Sequence, residues 1–479
     1  MGTFLMYFFA VASVALVIYL LIKKADIKIT LFAVGVLLLY VGIIIGIING
    51  TATEIDWLSP LNNVADSFKS ILGAAGLIIL ILGGYTAYMS TIGANNVTVW
   101  ALTKPLKKIK SPYILVPFVF LVGNLLSLVI PSASNLAIIL LATLYPVLRA
   151  SGMSRLTSAA VIATTATVMP TPLGGDNVAI AEELAQYLGF ENLTATSYVF
   201  GYHALVSIPT LIVMAVVHYF WQKHCDKVDI AKRNAAIAKG EVVSNDEIDV
   251  DASKAVTVEG SLLFKIVYAM LPVFPIIILL VVYLIQLLGG PTINVSVILA
   301  VLISFVVAIV CELIRNKGNG KKVIKDCGQF FDGMGKAFGI VVLLVSATVF
   351  VNGLKSIGII AALQAATTST TSSGILLPLI LVILSALIVL LSGSGTALFY
   401  AMVPLMYPLA VTAGISVFAV SVPMGLAGNL IRAVSPVSAV IMIVAGATKL
   451  DPSKIVKRTS VPMFAGVAFM FVLSMILFL

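Results

Sequence analysis

The sequence predicts an all-α membrane protein that crosses the bilayer many times. Of its 479 residues, 60% are hydrophobic and only 10% are charged, whereas a soluble protein carries about 25% charged residues. The mean hydropathy is +1.13, and several apolar runs are long enough to cross a hydrocarbon core of about 30 Å. The formal net charge of +9 comes from short basic clusters beside these runs, as in proteins that set their membrane orientation. Nucleic acid is therefore not an expected partner.

The start of the chain and its cysteines carry little further information. The first apolar run, residues 4–22, has no basic residue before it and no small-residue cleavage site after it, so we interpret it as a retained span rather than a signal peptide. The three cysteines, at 225, 311 and 327, have no metal or disulfide spacing. We expect them to be reduced structural thiols.

Basic clusters predict the orientation of the first three spans, because basic residues collect on the cytoplasmic side. Residues 4–22 end at a lysine cluster, which places the amino terminus outside. Residues 29–48 return to an acidic outer loop, and residues 71–89 lead back to the lysines at 104–110.

The next unit, residues 113–148, has basic residues at both ends and is therefore predicted not to cross. Its apolar arms, 113–130 and 136–148, are joined by Pro-Ser-Ala-Ser-Asn. The same side of the membrane at both ends predicts a re-entrant hairpin with its tip at residues 132–135.

The following run, residues 156–188, is interrupted at 170–176 by two prolines and two glycines. Prolines remove a backbone donor and glycines loosen the helix, so a broken span is predicted. A further span, residues 198–221, leads to a polar segment of mixed charge.

The second half repeats this order in the opposite orientation. Its predicted spans are 262–288, 293–314, 337–354 and 461–479; its hairpin arms are 375–391 and 397–410; its broken span is 417–447, interrupted around 427–436. The total is about ten spans, two re-entrant hairpins and two broken helices. Such inverted repeats place a substrate site near the bilayer midplane.

This order predicts five segments: residues 1–90, scaffold spans of the first repeat; 91–221, the first half of a transport domain; 222–260, a cytoplasmic linker; 261–354, scaffold spans of the second repeat; and 355–479, the second half of the transport domain.

Four half-helices are expected to begin near the membrane centre, after each hairpin tip and each interruption. Their first backbone amides lack intrahelical partners and carry partial positive charge. Four such ends, arranged as two related pairs, favour an anion with two charged groups. The residues expected to bind it are Ser132, Ser134, Asn135, Gly175, Asp176, Asn177, Ser392, Gly393, Ser394, Thr396, Asn429, Arg432, Ser435 and Ser438. At any single tip, helix capping explains a serine equally well.

Arg432 is the strongest individual signal, because a cation inside an apolar span is costly and usually functional. Its planar fork suits bidentate contact with a carboxylate. The alternative is a structural ion pair with Asp176, which could instead carry a coupling proton. His203 also lies in an apolar span and is either a proton shuttle or a packed histidine.

Several segments resemble the DcuC family of anaerobic C4-dicarboxylate carriers, within the ion-transporter superfamily of elevator carriers. They are GYTAYM at 84–89 with IGAN at 92–95, ATLYPV at 142–147, GD at 175–176, GSG at 393–395 with FYA at 399–401, NLIR at 429–432 with SPVS at 435–438, and VKRTSVP at 456–462. The resemblance implies exchange of succinate, fumarate or malate, or efflux of succinate, in a bacterial inner membrane; efflux or uptake would be coupled to a cation. It also implies a homodimer in which a domain holding both hairpins moves against a fixed scaffold.

No cofactor is predicted apart from a coupling ion, which could be a proton or sodium. Serine- and asparagine-lined tips near Ser134, Asn135 and Ser394 could hold sodium. The alternatives are a carrier of another organic anion and a sodium/proton antiporter, which would share the hairpins without needing Arg432. A remote alternative is an intramembrane serine hydrolase built on the Gly-Ser-Gly sequence at 393–395. Because a nucleophile needs a nearby base and His203 has no partner motif, enzyme activity is not predicted.

Overall fold

The regular elements of the described chain are all helices. The computed structural model describes residues 2–23, 25–50, 56–109, 111–130, 132–168, 170–238, 258, 260–291, 293–359, 362, 374–393 and 395–479. Within this part of the chain, seven helices are long and apolar enough to cross a membrane.

The first half begins with three long helices and ends with another. Its helices are α1 (Gly2–Ile22), α2 (Ile27–Ile48), α3 (Ser59–Thr91), α4 (Ala94–Thr103), α5 (Pro112–Ser127), α6 (Ala133–Thr143), α7 (Tyr145–Ala150), α8 (Arg155–Ala163), α9 (Gly175–Leu184) and α10. The last of these begins at Ala195, passes through a π turn at Val199–His203 and continues as Ala204–Ala238. The first hairpin consists of α5 and α6–α7, and residues 164–174 between α8 and α9 form the first break.

The second half has the same order of elements. Its helices are α11 (Leu262–Leu287), α12 (Val297–Arg315), α13 (Gly320–Ser356), α14 (Leu376–Ser392), α15 (Gly395–Met402), α16 (Met406–Thr412), α17 (Val417–Arg432), α18 (Ala439–Thr448) and α19 (Pro452–Phe478). The second hairpin consists of α14 and α15–α16, and residues 433–438 between α17 and α18 form the second break.

The two halves pack in reciprocal pairs. The second helix of each half packs on the third helix of the other, so that α2 contacts α13 and α12 contacts α3. The two third helices also pack along each other, as do the closing helices α10 and α19. Such reciprocal packing between the halves is expected of two structural repeats related by a two-fold axis.

Glycines allow the third helices to approach closely. A Cβ atom on Gly333 of α13 would lie 2.5 Å from the Cβ of Ala87 and 2.6 Å from the backbone oxygen of Gly83, both on α3. On the other side of α13, a Cβ on Gly353 would lie 2.8 Å from the oxygen of Gly35 on α2. Apolar side chains gain little by leaving lipid, so close backbone contact at small residues stabilises such a crossing.

Four helices extend beyond the spans predicted from hydropathy. Helix α3 begins at Ser59 rather than residue 71, α13 begins at Gly320 rather than residue 337, α19 begins at Pro452 rather than residue 461, and α10 continues past residue 221 to Ala238. The sequence analysis missed these polar helical turns because hydropathy identifies only the apolar part of a helix. A helix satisfies its own backbone groups and can continue outside the apolar layer.

The predicted position of the second interruption was wrong in detail. Helix α17 is regular through residues 427–432, and the chain unwinds only at 433–438. The glycines in α17 serve packing instead: a Cβ on Gly425 would already lie 3.4 Å from Ile180 and 3.7 Å from Phe399. The first break is also longer than predicted, because α8 ends at Ala163.

Candidate functional site

Asn124 holds the inner end of the first hairpin on the first break. This buried amide accepts hydrogen bonds through Oδ1 from the backbone nitrogens of Thr167 (3.0 Å) and Val168 (3.2 Å). Its Nδ2 donates to the backbone oxygen of Phe120 at 3.0 Å. A buried peptide N–H group without a hydrogen-bond partner is costly. Asn124 therefore supplies the acceptor that a backbone carbonyl would supply in an unbroken helix.

The second hairpin is held on the second break in a related way. Ser435, within the break, donates a 2.8 Å hydrogen bond to the backbone oxygen of Leu390 near the end of α14. Gly393 ends that helix with φ of 72°, a conformation that favours glycine. A Cβ there would lie 2.7 Å from the backbone oxygen of Val437. Each hairpin therefore rests directly on the break of its own repeat.

The two broken helices are joined by side chains of α17. Nη2 of Arg432 donates to the backbone oxygen of Ala166 in the first break at 2.7 Å. One turn earlier, Nδ2 of Asn429 donates to Oδ2 of Asp176 in the first turn of α9 at 3.0 Å. Residues three apart share a helix face, so this face of α17 contacts both sides of the first break.

Ala166 occupies a strained backbone conformation where it meets Arg432. Its φ is 61°, in the left-handed region, which costs a non-glycine residue roughly 1–2 kcal/mol. The residue is fully buried, and its carbonyl oxygen is the acceptor for Arg432. Strain of this kind concentrates at functional sites.

The serines at two of the helix starts act as caps. Ser132 accepts from the backbone nitrogen of Asn135 at 3.4 Å, and Ser438 accepts from Ile441 at 3.4 Å. Helix α9 differs, because Gly174 at its N-cap has no side chain and Asp176 accepts from the adjacent Asn177 nitrogen at 3.1 Å. The capping explanation considered for these serines is thus what their contacts show.

The structure brings together one group of the predicted residues around the two breaks: Asp176, Asn177, Gly393, Asn429, Arg432, Ser435 and Ser438. Within it, Asn177 is buried and donates to the backbone oxygen of Thr171 at 3.0 Å. Gly175 lies under the second hairpin, since a Cβ there would be 2.9 Å from the hydroxyl of Tyr400.

The remaining predicted residues are placed less centrally or lie outside the described structure. Ser134 is partly buried and Asn135 is exposed. Ser394 and the side chains of Ser392 and Thr396 are outside the described residues. The sodium site predicted around Ser134, Asn135 and Ser394 therefore stays a prediction.

Asp176 and Arg432 do not form the ion pair considered from the sequence. The salt bridges among the described residues lie elsewhere, and each of these two side chains has its own neutral partner. The carboxylate is bound by amide groups, while the guanidinium makes its hydrogen bond to a backbone carbonyl.

Sequence reasoning missed three residues that build the site: Asn124, Ala166 and Tyr400. Asn124 was detectable as an amide within the apolar run 113–130. Ala166 gave no signal, because a left-handed backbone conformation at an alanine cannot be recognised from the sequence.

His203 is buried in the π turn of α10, with its ring 6.3 Å from that of Tyr198.

The sequence relationship decides the family. The sequence model described as C4-dicarboxylate anaerobic carrier, DcuC, matches residues 55–479. The chain belongs to the DcuC family. It is 38% identical to the probable anaerobic C4-dicarboxylate transporter DcuC of Vibrio cholerae, covering 85% of this chain and 82% of that protein. The anaerobic C4-dicarboxylate transporter DcuC of Escherichia coli K12 is 34% identical, with 98% and 96% coverage.

Solved transporter structures share the fold of this DcuC family member. MtrF of Neisseria gonorrhoeae superposes with a TM-score of 0.63 at 14% identity, covering 93% of this chain and 94% of that one. The YdaH transporter of Alcanivorax borkumensis superposes with a TM-score of 0.61 at 17% identity, covering 94% and 98%. At these identities the likeness concerns the fold alone.

Proposed function

We propose that the protein is a secondary active transporter of C4-dicarboxylates such as succinate, fumarate and malate in the bacterial inner membrane. The observation that carries this proposal is the position of Arg432 where the two broken helices meet. A guanidinium has five N–H donors, and the described structure uses one of them for Ala166. The other donors suit a carboxylate group. The DcuC relatives of Vibrio cholerae and Escherichia coli support the substrate class.

The start of α9 supplies a second electropositive feature next to the arginine. The helix dipole and unpaired amides at a helix start favour an anion, but Asp176 places a negative charge in the same turn. A dianion beside this carboxylate would be repelled unless the carboxylate were neutralised. We therefore assign Asp176 to the coupling step, carrying a proton or lying beside a sodium ion when substrate binds.

The packing supports an elevator-type movement. The first hairpin packs on α8 and α10, the second packs on α17, and α19 contacts both α8 and α17. These contacts connect the hairpins with the helices on either side of the breaks, which supports the proposal that segments 91–221 and 355–479 form one transport domain. The glycine contacts among α2, α3 and α13 hold the predicted scaffold together. We propose that the transport unit slides against this scaffold within a homodimer.

A counterflow experiment tests the function. Protein in liposomes loaded with fumarate is expected to take up labelled succinate, and Arg432→Ala should abolish uptake while remaining folded. Arg149→Ala is the matched control, because Arg149 also donates to a backbone oxygen, that of Met153, but lies at the end of the first hairpin. Proton and sodium gradients imposed separately identify the coupling ion. Normal uptake by Arg432→Ala would remove the arginine from the site.

The alternative functions have distinct outcomes in the same assay. A carrier of another organic anion would show stronger competition by monocarboxylates than by succinate or malate. A sodium/proton antiporter would exchange cations with no carboxylate present. For the remote hydrolase hypothesis, His203→Ala tests the base: unchanged transport and no hydrolytic activity in either protein would eliminate it.

A further inference from the structure

A cleft between the closing helices α10 and α19 lies at the end of the molecule predicted to face the cytoplasm. Its cavity has a volume of about 430 Å³, and its walls include Trp221 and His224 of α10 with Lys454 and Lys457 of α19. The cleft is separate from the helix breaks described above. A ligand bound in this cleft would therefore be distinct from the transported substrate.

The floor of the cleft is an ion cluster built around Arg458. Arg458 is 4% exposed and pairs with Asp226 at 2.8 Å and Asp229 at 2.6 Å. It also donates to Thr157 of α8 at 3.1 Å. Because two carboxylates pair with one guanidinium, the cluster has a net formal charge of −1, so the floor does not itself attract an anion.

The rim does carry excess positive charge. Lys454 and Lys457 are exposed and belong to none of the ion pairs among the described residues. They are three residues apart and so point to the same side of α19. Two unpaired ammonium groups beside a cavity at a membrane surface favour the phosphate of an anionic lipid.

Trp221 provides a donor inside the cleft. Its indole nitrogen is buried and has no hydrogen-bond partner among the described residues, and its ring stacks on His224 with centroids 5.9 Å apart. A buried N–H without a partner costs free energy unless a ligand or water accepts from it. Tryptophan also favours the level of the lipid headgroups.

Exposed apolar side chains continue the site toward the membrane. Val461 follows Lys457 by one turn on the same face of α19 and is 38% exposed, and Phe464, a turn further along that face, is 46% exposed. A free phosphate ion gains nothing from such neighbours, whereas the acyl chains of a phospholipid bury them. This combination selects a lipid rather than a soluble anion.

We propose that this cleft binds the phosphate of an anionic phospholipid from the cytoplasmic leaflet. Lys454 and Lys457 contact the phosphate, the indole of Trp221 donates to it, and the acyl chains lie on Val461 and Phe464. Since α10 and α19 close the two repeats, the bound lipid joins the halves of the transport unit at this end.

Native mass spectrometry of the purified full-length protein tests the site, with phosphatidylglycerol, phosphatidylethanolamine and soluble glycerol phosphate as separate probes. We expect phosphatidylglycerol to bind preferentially and Lys454→Gln/Lys457→Gln to weaken its binding roughly 30-fold, from the ordinary contribution of each basic residue to anionic lipid binding. Trp221→Phe keeps the ring, removes the donor and should weaken binding by a smaller factor.

The matched control is Lys321→Gln/Lys325→Gln, a pair of exposed lysines on α13 that lies away from the cleft and should leave lipid binding unchanged. Equal affinity for the two lipids would overturn the proposal, as would the same loss in both double variants. Binding of glycerol phosphate as tight as that of phosphatidylglycerol would overturn the assignment to a lipid.

Discussion

The guanidinium of Arg432 donates a 2.7 Å hydrogen bond to the backbone oxygen of Ala166. This contact connects the last turn of α17 in the second half to an unwound segment of the first half. Each hairpin rests on its own break, and the arginine connects the two breaks. The site is therefore organised around one cation placed where the repeats meet, and each contact in that arrangement can be tested separately.

Asp176→Asn tests the coupling role. The amide can still accept from Asn429, so the joint between α9 and α17 is kept while the charge is removed. We expect succinate–fumarate exchange to persist and uptake driven by a proton or sodium gradient to be lost. Gradient-driven uptake in liposomes is the measurement, and Asp66→Asn, at an exposed pair with Lys69, is the control. Unchanged gradient-driven uptake in Asp176→Asn would show that the carboxylate plays no part in coupling.

Gly393→Ala tests the seating of the second hairpin on its break. The new Cβ would meet the backbone of Val437 at 2.7 Å, an overpacking that costs about 1–3 kcal/mol. Gly414→Ala is the matched control, because Gly414 also has a positive φ, 64°, but has no atom within 4 Å of the added Cβ. Thermal unfolding in detergent should show the larger loss in Gly393→Ala, together with reduced counterflow. Equal losses would mean that only backbone strain matters at position 393.

Asn124→Ala tests the support of the first break. The substitution leaves the buried nitrogens of Thr167 and Val168 without their acceptor, and each such group costs about 1–3 kcal/mol. We expect a loss of roughly 3 kcal/mol in the free energy of unfolding, with impaired exchange. The control, Asn135→Ala, changes an exposed amide and should shift stability by less than about 0.5 kcal/mol. A stable Asn124→Ala protein would contradict this role.

Gly333→Ala tests the close crossing of α3 and α13. Replacing glycine by alanine inside a helix normally stabilises it by about 1 kcal/mol, and this is expected for Gly335→Ala, where no atom lies within 4 Å. At Gly333 the added Cβ would lie 2.5 Å from the Cβ of Ala87. The Gly333→Ala substitution should therefore destabilise the protein rather than stabilise it. The two unfolding temperatures, measured side by side, check this prediction. A rise in the unfolding temperature of both variants would show that α3 and α13 are less tightly packed than the structure indicates.

The order of hairpins and breaks was predictable from the sequence, because prolines and glycines inside apolar runs are local signals. The Pro-Thr-Pro-Leu-Gly-Gly sequence at 170–175 indicated the first break in this way. What depends on contacts between distant segments was not predictable. Arg432 stood out as a cation in an apolar span, but its acceptor on Ala166 depends on how two helices from different halves pack.

The ion cluster of Arg458 shows the same limit at the end of the molecule predicted to face the cytoplasm. In the sequence, Arg458 is one of several basic residues that set orientation, and Asp226 belongs to a polar stretch assigned to the linker. The structure buries both, with side chains 4% and 6% exposed and 2.8 Å apart. Charge counting cannot separate a solvated charge from a paired one, since the distinction arises only when α10 and α19 pack.

Equilibrium binding of labelled succinate to the purified protein tests the central claim most directly, because it separates binding from transport. We predict saturable binding that fumarate displaces and that Arg432→Ala weakens roughly 10- to 100-fold, the loss expected for hydrogen bonds to a charged group. Arg149→Ala should bind normally. Unchanged affinity in Arg432→Ala, or an equal loss in Arg149→Ala, would contradict an anion site centred on Arg432.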